Sequence, residues 1–231
     1  MIIGGLQELT LIDYPGRLAA TVFLCGCNFR CPWCYSSEIV LPEKIKVQPE
    51  FSEKEFFEFL KQRKNLIEGV VLCGGEPTMS KDLTPLIKKI KKEGFFVKLD
   101  TNGTNPKMLK ELIDKKLVDY VAMDLKAPKE KYNNVSGVKV DIKKIQKSID
   151  ILKEGKVDYE LRTTVIPGFH KKEDLLSMAK WISGAKKYYL QNFLPEKTLD
   201  KRFEALKPYP VEFLLEIQKA ISPFFEICRV R

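Results

Sequence analysis

Histidine is all but missing: the 231 residues contain one, His170. A structural zinc site normally draws four ligands from cysteine and histidine, so here it would have to be built almost wholly from cysteine. Long apolar runs are missing too. No stretch approaches membrane-spanning length. The segment Met1 to Glu8 also lacks the basic region and apolar core of a secretory leader, so a cytoplasmic protein is expected. There is no linker, no low-complexity stretch and no cysteine-rich accessory segment. No basic run is interleaved with aromatics in a nucleic-acid-binding pattern. A single domain over residues 1–231 is therefore expected, with a core at about 19–195 and a helix and final strand within 205–231.

What is present begins with charge. The net charge is +9, and 33 of the 40 basic residues are lysine. Much of it sits beside acids, as in Lys88-Lys89-Ile90-Lys91-Lys92-Glu93. This reads first as a solvated Lys/Glu surface and second as a field that steers an acidic partner.

Half of the six cysteines crowd into one short run, Cys27-Asn28-Phe29-Arg30-Cys31-Pro32-Trp33-Cys34. The C-x3-C-x2-C spacing offers three thiolates on one loop and no fourth. A cubane iron–sulfur cluster usually takes four cysteines, so three would leave one iron open to a substrate or cofactor. Zinc remains an alternative if Cys25 serves as a fourth ligand, although Cys25 and Cys27 are cramped neighbours on one strand face. Disulfides are a third reading, in a chain that otherwise does not look secreted.

Short β-branched or aromatic runs alternate with amphipathic helical stretches, the pattern of βα units on a parallel sheet. Strands are expected at 19–25, 69–73, 95–99, 120–123, 157–165 and 187–192, and helices at 53–64, 83–93, 106–115, 142–154 and 172–183. Ser52 with Glu55 reads as a capping box, and Gly94 as a helix C-cap. After an irregular stretch from Pro195 to Pro210, a helix at 211–222 and a strand at 224–230 complete the chain.

The informative polar residues follow strands, where parallel α/β folds place their active face. The cysteine loop follows the strand at 19–25. Gly74-Gly75-Glu76-Pro77, Asp100-Thr101-Asn102-Gly103 and Asp124-Leu125-Lys126 follow the next three, and Arg162 lies within the fifth. Singly they are weak: Gly-Gly-Glu-Pro and Asn-Gly are common turns, Asp124 with Lys126 could be a surface ion pair, and Cys73 reads as a buried strand residue. Together, beside a three-cysteine loop, they are hard to attribute to chance.

These segments resemble the radical S-adenosylmethionine (SAM) enzymes, and among them the glycyl-radical enzyme activating proteins. C-x3-C-x2-C is that superfamily's cluster motif, Gly74-Gly75-Glu76-Pro77 resembles its methionine-binding motif, and the segments at Asp100 and Asp124 resemble those of pyruvate formate-lyase activase. Asp13-Tyr14-Pro15-Gly16-Arg17 is similar to the activase signature, with Tyr14 in place of a glycine, a variant most like activators of anaerobic ribonucleoside-triphosphate reductase. The resemblance covers about residues 1–195 and implies a partial (β/α)6 barrel of the TIM type.

It further implies one 4Fe–4S cluster on Cys27, Cys31 and Cys34, with the open iron holding the methionine end of SAM. Gly74, Gly75 and Glu76 would approach the methionine ammonium group, Lys126 its carboxylate, and Arg162 would join the cofactor-binding set. Asp100, Thr101 and Asp124 would hold a monovalent cation against SAM, because two close carboxylates need a counter-ion. Asp13 would position the target peptide. The implied reaction is reductive cleavage of SAM to a 5′-deoxyadenosyl radical, which takes an α-hydrogen from a glycine of a partner glycyl-radical enzyme, with flavodoxin or ferredoxin as electron donor. The nucleoside-binding histidine of pyruvate formate-lyase activase has no match in Tyr189 to Leu194, which leaves Gln191 or Phe193 for the adenine. Two rivals stand beside this reading: a radical SAM enzyme acting on a small molecule or tRNA, and a zinc-stabilised binding protein without catalysis.

Overall fold

The computed structural model describes residues 2–49 and 51–231. Its frame is one eight-stranded sheet in the order of the sequence: β1 (Ile3–Thr10), β2 (Ala19–Leu24), β3 (Gly69–Gly74), β4 (Phe96–Thr101), β5 (Tyr120–Asp124), β6 (Asp158–Val165), β7 (Lys187–Asn192) and β8 (Ile227–Val230). From β2 to β8 every neighbour is parallel, and β1 runs antiparallel to β2. Among the described residues no pairing joins β8 back to β1, so the curled sheet stays open along one seam.

The six expected strands are the centre of this sheet, within one or two residues. β1 was not expected: Ile3-Gly4-Gly5-Leu6-Gln7-Glu8-Leu9-Thr10 has two glycines and little alternation, because most of this edge strand is solvated. Asp100, Thr101 and Asp124 are the last residues of β4 and β5 rather than the first residues beyond them.

The α-helices among the described residues are α1 (Ser37–Val40), α2 (Pro42–Ile45), α3 (Glu53–Gln62), α4 (Leu83–Lys92), α5 (Pro106–Asp114), α6 (Tyr132–Ser136), α7 (Ile142–Lys153), α8 (Lys172–Trp181) and α9 (Val211–Ile221). The Ser52 capping box starts α3: Glu55 N–H donates to Ser52 Oγ at 3.1 Å, and Ser52 N–H to Glu55 Oε2 at 2.8 Å. Gly94, at φ +95°, ends α4 in the left-handed conformation that glycine adopts without strain. The one-turn helices α1, α2 and α6 were not expected, being too short to show a period.

Strand residues alternate between two environments. Val22, Leu24, Val70, Leu72, Val97, Leu99, Val121, Met123 and Leu161 face the helices and form the main core with Leu86, Ile87, Leu112 and Ile149. The opposite face lines a lumen. Its N-terminal end is closed by a small cluster of Tyr14, Ala19, Val71 and Tyr120. Above that cluster the lumen turns polar, and the chemistry begins there.

Candidate functional site

The cysteine loop leaves the C-terminal end of β2. Cys31 is 7% exposed, Cys27 and Cys34 are half-buried, and none of the six cysteines forms a disulfide. The loop is held from several sides. Arg30 N–H donates to Ser136 O at 2.9 Å, while Leu199 N–H and Asp200 N–H donate to Cys34 O and Pro32 O at 2.7 and 2.8 Å. Asn102 Nδ2 donates to Asn28 Oδ1 at 2.8 Å, and Asn28 Nδ2 to Thr104 Oγ1 at 2.9 Å. Trp33 Nε1 donates to Val135 O at 3.2 Å, and the Lys126 ammonium lies 5.0 Å from the Trp33 ring centroid. Phe29 and Trp33 are both core residues.

Burial pushes the three thiols up, Cys27 to about 11 and Cys31 to about 12, with Cys34 also raised, and Lys126 pulls against this on all three. The thiolate is the metal-binding form, so the loop presents desolvated donors that a cationic group would neutralise. Phe29 N–H already donates to Cys27 Sγ at 3.3 Å, the kind of N–H···S contact that tunes iron–sulfur clusters. Among the described residues no three His, Cys, Asp or Glu side chains are placed to hold a single metal ion. In a cubane each thiolate binds a different iron, and three of them leave one iron without a protein ligand.

Gly-Gly-Glu-Pro proves to be a buttress for this loop. Gly75 N–H donates to Leu24 O at 2.8 Å and Glu76 N–H to Gly26 O at 2.7 Å, carrying the β2–β3 contact past the strand ends. A Cβ on Gly75 would lie 1.9 Å from Gly26 O. One on Gly74, where φ is +114°, would lie 2.4 Å from Leu24 N. The close approach that requires glycine here is therefore chain on chain. Gly75→Ala is expected to push Gly26, and Cys27 with it, out of place. Urea unfolding should show a loss of about 1–3 kcal/mol or more, and Gly5→Ala, whose Cβ would meet only an ordinary contact at 3.6 Å, should stay within about 0.5 kcal/mol of wild type.

Glu76 is 2% exposed and its carboxylate is fully engaged. Oε1 accepts from Thr78 N–H at 3.1 Å, from the Thr78 hydroxyl, and from Thr101 Oγ1 at 2.7 Å, while Oε2 accepts from Asn102 N–H at 2.6 Å. Burial raises its pKa, and those hydrogen bonds oppose the rise. Glu76 thus ties the end of β3 to the end of β4. Thr101, 3% exposed, faces the core side of its strand.

Across the lumen runs a chain of charges. Lys98, 1% exposed, pairs with Asp100 Oδ1. Arg162 Nη2 lies 2.9 Å from Asp100 Oδ2, Arg162 Nε donates to Asp124 Oδ1 at 2.8 Å, and Lys126 Nζ lies 3.3 Å from Asp124 Oδ2. One guanidinium on β6 therefore bridges carboxylates on β4 and β5. Burial alone would raise the Asp124 pKa, but Arg162 and Lys126 outweigh it and hold the carboxyl well below the usual range. Burial would lower that of Lys126, and Asp124 together with Cys31, Tyr132 and Cys27 more than offsets this. Asp124 with Lys126 is thus no surface pair: Lys126 is 14% exposed.

Asp13 is hydrogen-bonded to β2. It lies in the β1–β2 turn at the floor of the lumen, where Thr21 Oγ1 donates to its Oδ2 at 2.8 Å. Tyr14 beside it is 3% exposed, packs on Gly69 and meets Tyr120 with ring centroids 6.1 Å apart, so it plugs the floor. Phe193 is 1% exposed in the core, whereas Gln191 is half-buried on the lumen face of β7. His170, also buried, accepts from Ile166 N–H at Nδ1 (3.0 Å), and its Nε2 pairs with Lys126 O at 2.8 Å. It props the backbone of Lys126. Asn28, Thr104 and Ser136, which lace the loop to its neighbours, carried no sequence signal beyond their nearness to the motifs.

No helix among the described residues is long and apolar enough to cross a membrane. Residues 21–182 match the Radical SAM superfamily. Over its whole length the chain is 38% identical to a Methanocaldococcus jannaschii protein, of which it covers 95% and which carries the provisional name of a glycyl-radical enzyme activating enzyme. Among solved structures, SuiB of Streptococcus suis bound to SAM superposes with a TM-score of 0.68 at 14% identity, over 90% of this chain and 51% of that one. A domain of a pyruvate-formate lyase-activating enzyme from Bacteroides vulgatus does so with a TM-score of 0.55 at 17% identity, over 69% of this chain and 98% of that one. These two likenesses are of fold: an open α/β barrel with its loops at the C-terminal strand ends. With the sequence match spanning the cysteine loop and every charged strand end up to Arg162, the chain belongs to the radical SAM superfamily and is an enzyme of the oxidoreductase class.

Proposed function

We propose that this enzyme generates a glycyl radical in a partner protein. The observation that carries the reading is the whole-length similarity to the M. jannaschii relative, 38% identity over all of this chain and 95% of that protein. The open seam between β1 and β8 supports it, because it leaves the lumen accessible to a segment of another protein.

Cys27, Cys31 and Cys34 would hold the 4Fe–4S cluster, which when bound supplies one electron to the sulfonium of SAM, leaving methionine and a 5′-deoxyadenosyl radical. The hydrogen taken would be the α-hydrogen of a glycine in the partner. Lys126 offers a point charge to the methionine carboxylate, and the backbone around Gly74 and Gly75 lines the ammonium end. Glu76 and Thr101 keep those strand ends in register. The counter-ion that a monovalent cation would provide is Arg162, which already neutralises Asp100 and Asp124. Asp13 on the lumen floor would hold the entering peptide. The +9 charge suits an acidic low-potential donor such as flavodoxin or ferredoxin, and the setting would be the anaerobic cytoplasm. The protein works, in this reading, as one domain, and anaerobic ribonucleoside-triphosphate reductase is the first partner to try because of the Tyr14-bearing turn.

The test mixes reduced, cluster-loaded protein and SAM with that reductase. A persistent glycine-centred EPR doublet is expected, and α-deuterated glycine in the partner should collapse it and carry deuterium into 5′-deoxyadenosine. Should no glycyl-radical protein respond while a metabolite or tRNA gains a modification, the activase reading gives way to the small-substrate one.

A further inference from the structure

The turn after α6 packs directly on the cysteine loop. Gly137, at φ +70°, passes so close that a Cβ there would lie 2.1 Å from Arg30 O, and Ser136 O accepts from Arg30 N–H at 2.9 Å. Arg30 is peptide-linked to Cys31, so a single hydrogen bond joins this turn to the backbone of a loop cysteine.

From there the surface is positive. Lys139 shares a surface cleft with Lys143 at the start of α7. Lys143, Lys144 and Lys147 are exposed on that helix, at the i, i+3 and i, i+4 spacings that place side chains on one face. Arg30 is half-buried and donates from Nη1 to Cys27 O and Phe29 O, both at 2.7 Å. Among the described residues none of these five cations is ion-paired. The acids nearest in sequence are engaged elsewhere: Asp141 Oδ1 accepts from Lys143 N–H at 3.0 Å, capping α7, and Asp150 Oδ1 accepts from Gln146 Nε2 at 2.9 Å.

The lysines of α4 and α5 are treated differently. Lys89 and Lys91 pair with Glu53 and Asp119, and Lys110 and Lys115 with Asp114 and Glu111. The α7 arrangement is locally unfavourable as well. Lysines in a first turn oppose the positive end of the helix dipole, that turn holds no acid, and Lys143 repels Lys147 at i, i+4. A merely solvated surface has no need of such an arrangement, whereas a surface kept for an acidic partner does.

We infer that Arg30, Lys139, Lys143, Lys144 and Lys147 form the docking face for the protein that reduces the cluster, a small acidic one-electron carrier of the ferredoxin type. This rests on the reading that the loop cysteines hold a cluster reduced by a protein donor, and it fixes where that donor sits. The step moves one electron: the carrier's iron–sulfur centre is oxidised by one, the cluster is reduced by one, and no atom is transferred. SAM and the substrate would fill the lumen, so the donor approaches from another side. At Ser136 and Gly137 it is one hydrogen bond and one peptide link from Cys31. Nucleic acid would answer to the same charge, but no aromatic side chain stands exposed between Lys139 and Lys147 to stack a base.

The probe is an oxidised acidic ferredoxin, titrated calorimetrically and anaerobically into cluster-loaded protein at low and high salt. Lys143→Glu with Lys147→Glu is expected to weaken binding about tenfold or more at low salt and to flatten its salt dependence. Lys88→Glu with Lys92→Glu makes the same change in net charge on exposed lysines in the later turns of α4, toward the start of β4, and should stay within about twofold of wild type. Equal losses in the two pairs would make the attraction one of net charge and overturn the face, as would no loss in the α7 pair. Should the α7 pair fail to fold, Lys144→Gln with Lys147→Gln carries the test: an intermediate loss supports the face and no loss overturns it. Dithionite reduces the cluster without docking, so both pairs should cleave SAM at the wild-type rate with dithionite, and only the α7 pair should slow with reduced ferredoxin. If the α7 pair instead loses tRNA binding and keeps ferredoxin, the face belongs to RNA and the inference is overturned. A face that behaves as expected in a protein that activates no partner would overturn the activase reading alone.

Discussion

Cys31→Ala protein, refilled with iron and sulfide under strict anaerobiosis, is expected to fail to assemble the cluster that wild type builds at about four irons per chain. Cys31 is the most buried of the three loop cysteines, and its thiol is electrostatically coupled to Cys27, Cys34 and Lys126 at once. Removing it leaves two donors, too few to hold a cubane against solvent. Cys27→Ala and Cys34→Ala should behave alike, and all three should lose SAM cleavage altogether. Cys73→Ala and Cys228→Ala should keep both, since Cys73 faces the lumen among Asp100, Lys98 and Asp13, and Cys228 lies on β8. Iron content and the EPR spectrum of the reduced protein, with and without SAM, decide it. A full cluster in Cys31→Ala would remove the basis for the ligand assignment.

Replacing Arg162 with methionine should have the largest effect outside the cysteine loop. Its guanidinium makes the cross-strand bridge between Asp100 and Asp124, and each acid would be left with a single lysine at its outer side. Breaking a buried pair by removing one partner typically costs about 3–5 kcal/mol, which urea unfolding of the apoprotein would register. A weakening of SAM binding on the order of a hundredfold is expected beside it. Adding Asp100→Asn should recover part of the stability, because the stranded charge is removed with its partner. If Arg162→Met unfolds within about 1 kcal/mol of wild type, the bridge carries little energy and the cation-free account of the two carboxylates fails.

The sequence exposed the parts whose chemistry belongs to single residues. Three cysteines on one loop can be read because few other functions need that spacing. Asp100, Asp124 and Lys126 can be read because charged residues at parallel strand ends need a reason to be there. The six central strands were legible as short β-branched or aromatic runs between helical stretches, and β1 was not, since a solvated edge strand with two glycines lacks such a run. What escaped was relational. Glu76 looks like a ligand by motif, yet its carboxylate takes two hydrogen bonds from Thr78 just beyond it and two from Thr101 and Asn102 at the end of β4, an assignment that only packing makes. Arg162 could be placed on its strand but not between two acids 62 and 38 residues away in the chain. An ion pair between Glu160 and Arg231 spans 71 positions, and no local pattern marks either member.

The anchoring of the cysteine loop bears on how the enzyme survives damage. Its backbone is tied to Ser136 beyond β5, to Leu199 and Asp200 beyond β7, and through Asn28 to Asn102 and Thr104 beyond β4. None of these ties passes through a sulfur atom. A protein whose cofactor has been destroyed by oxygen would keep the receptacle in shape. Repair then becomes a matter of delivering iron and sulfide to a waiting cradle, and the rate of recovery should follow their supply rather than any refolding of the chain.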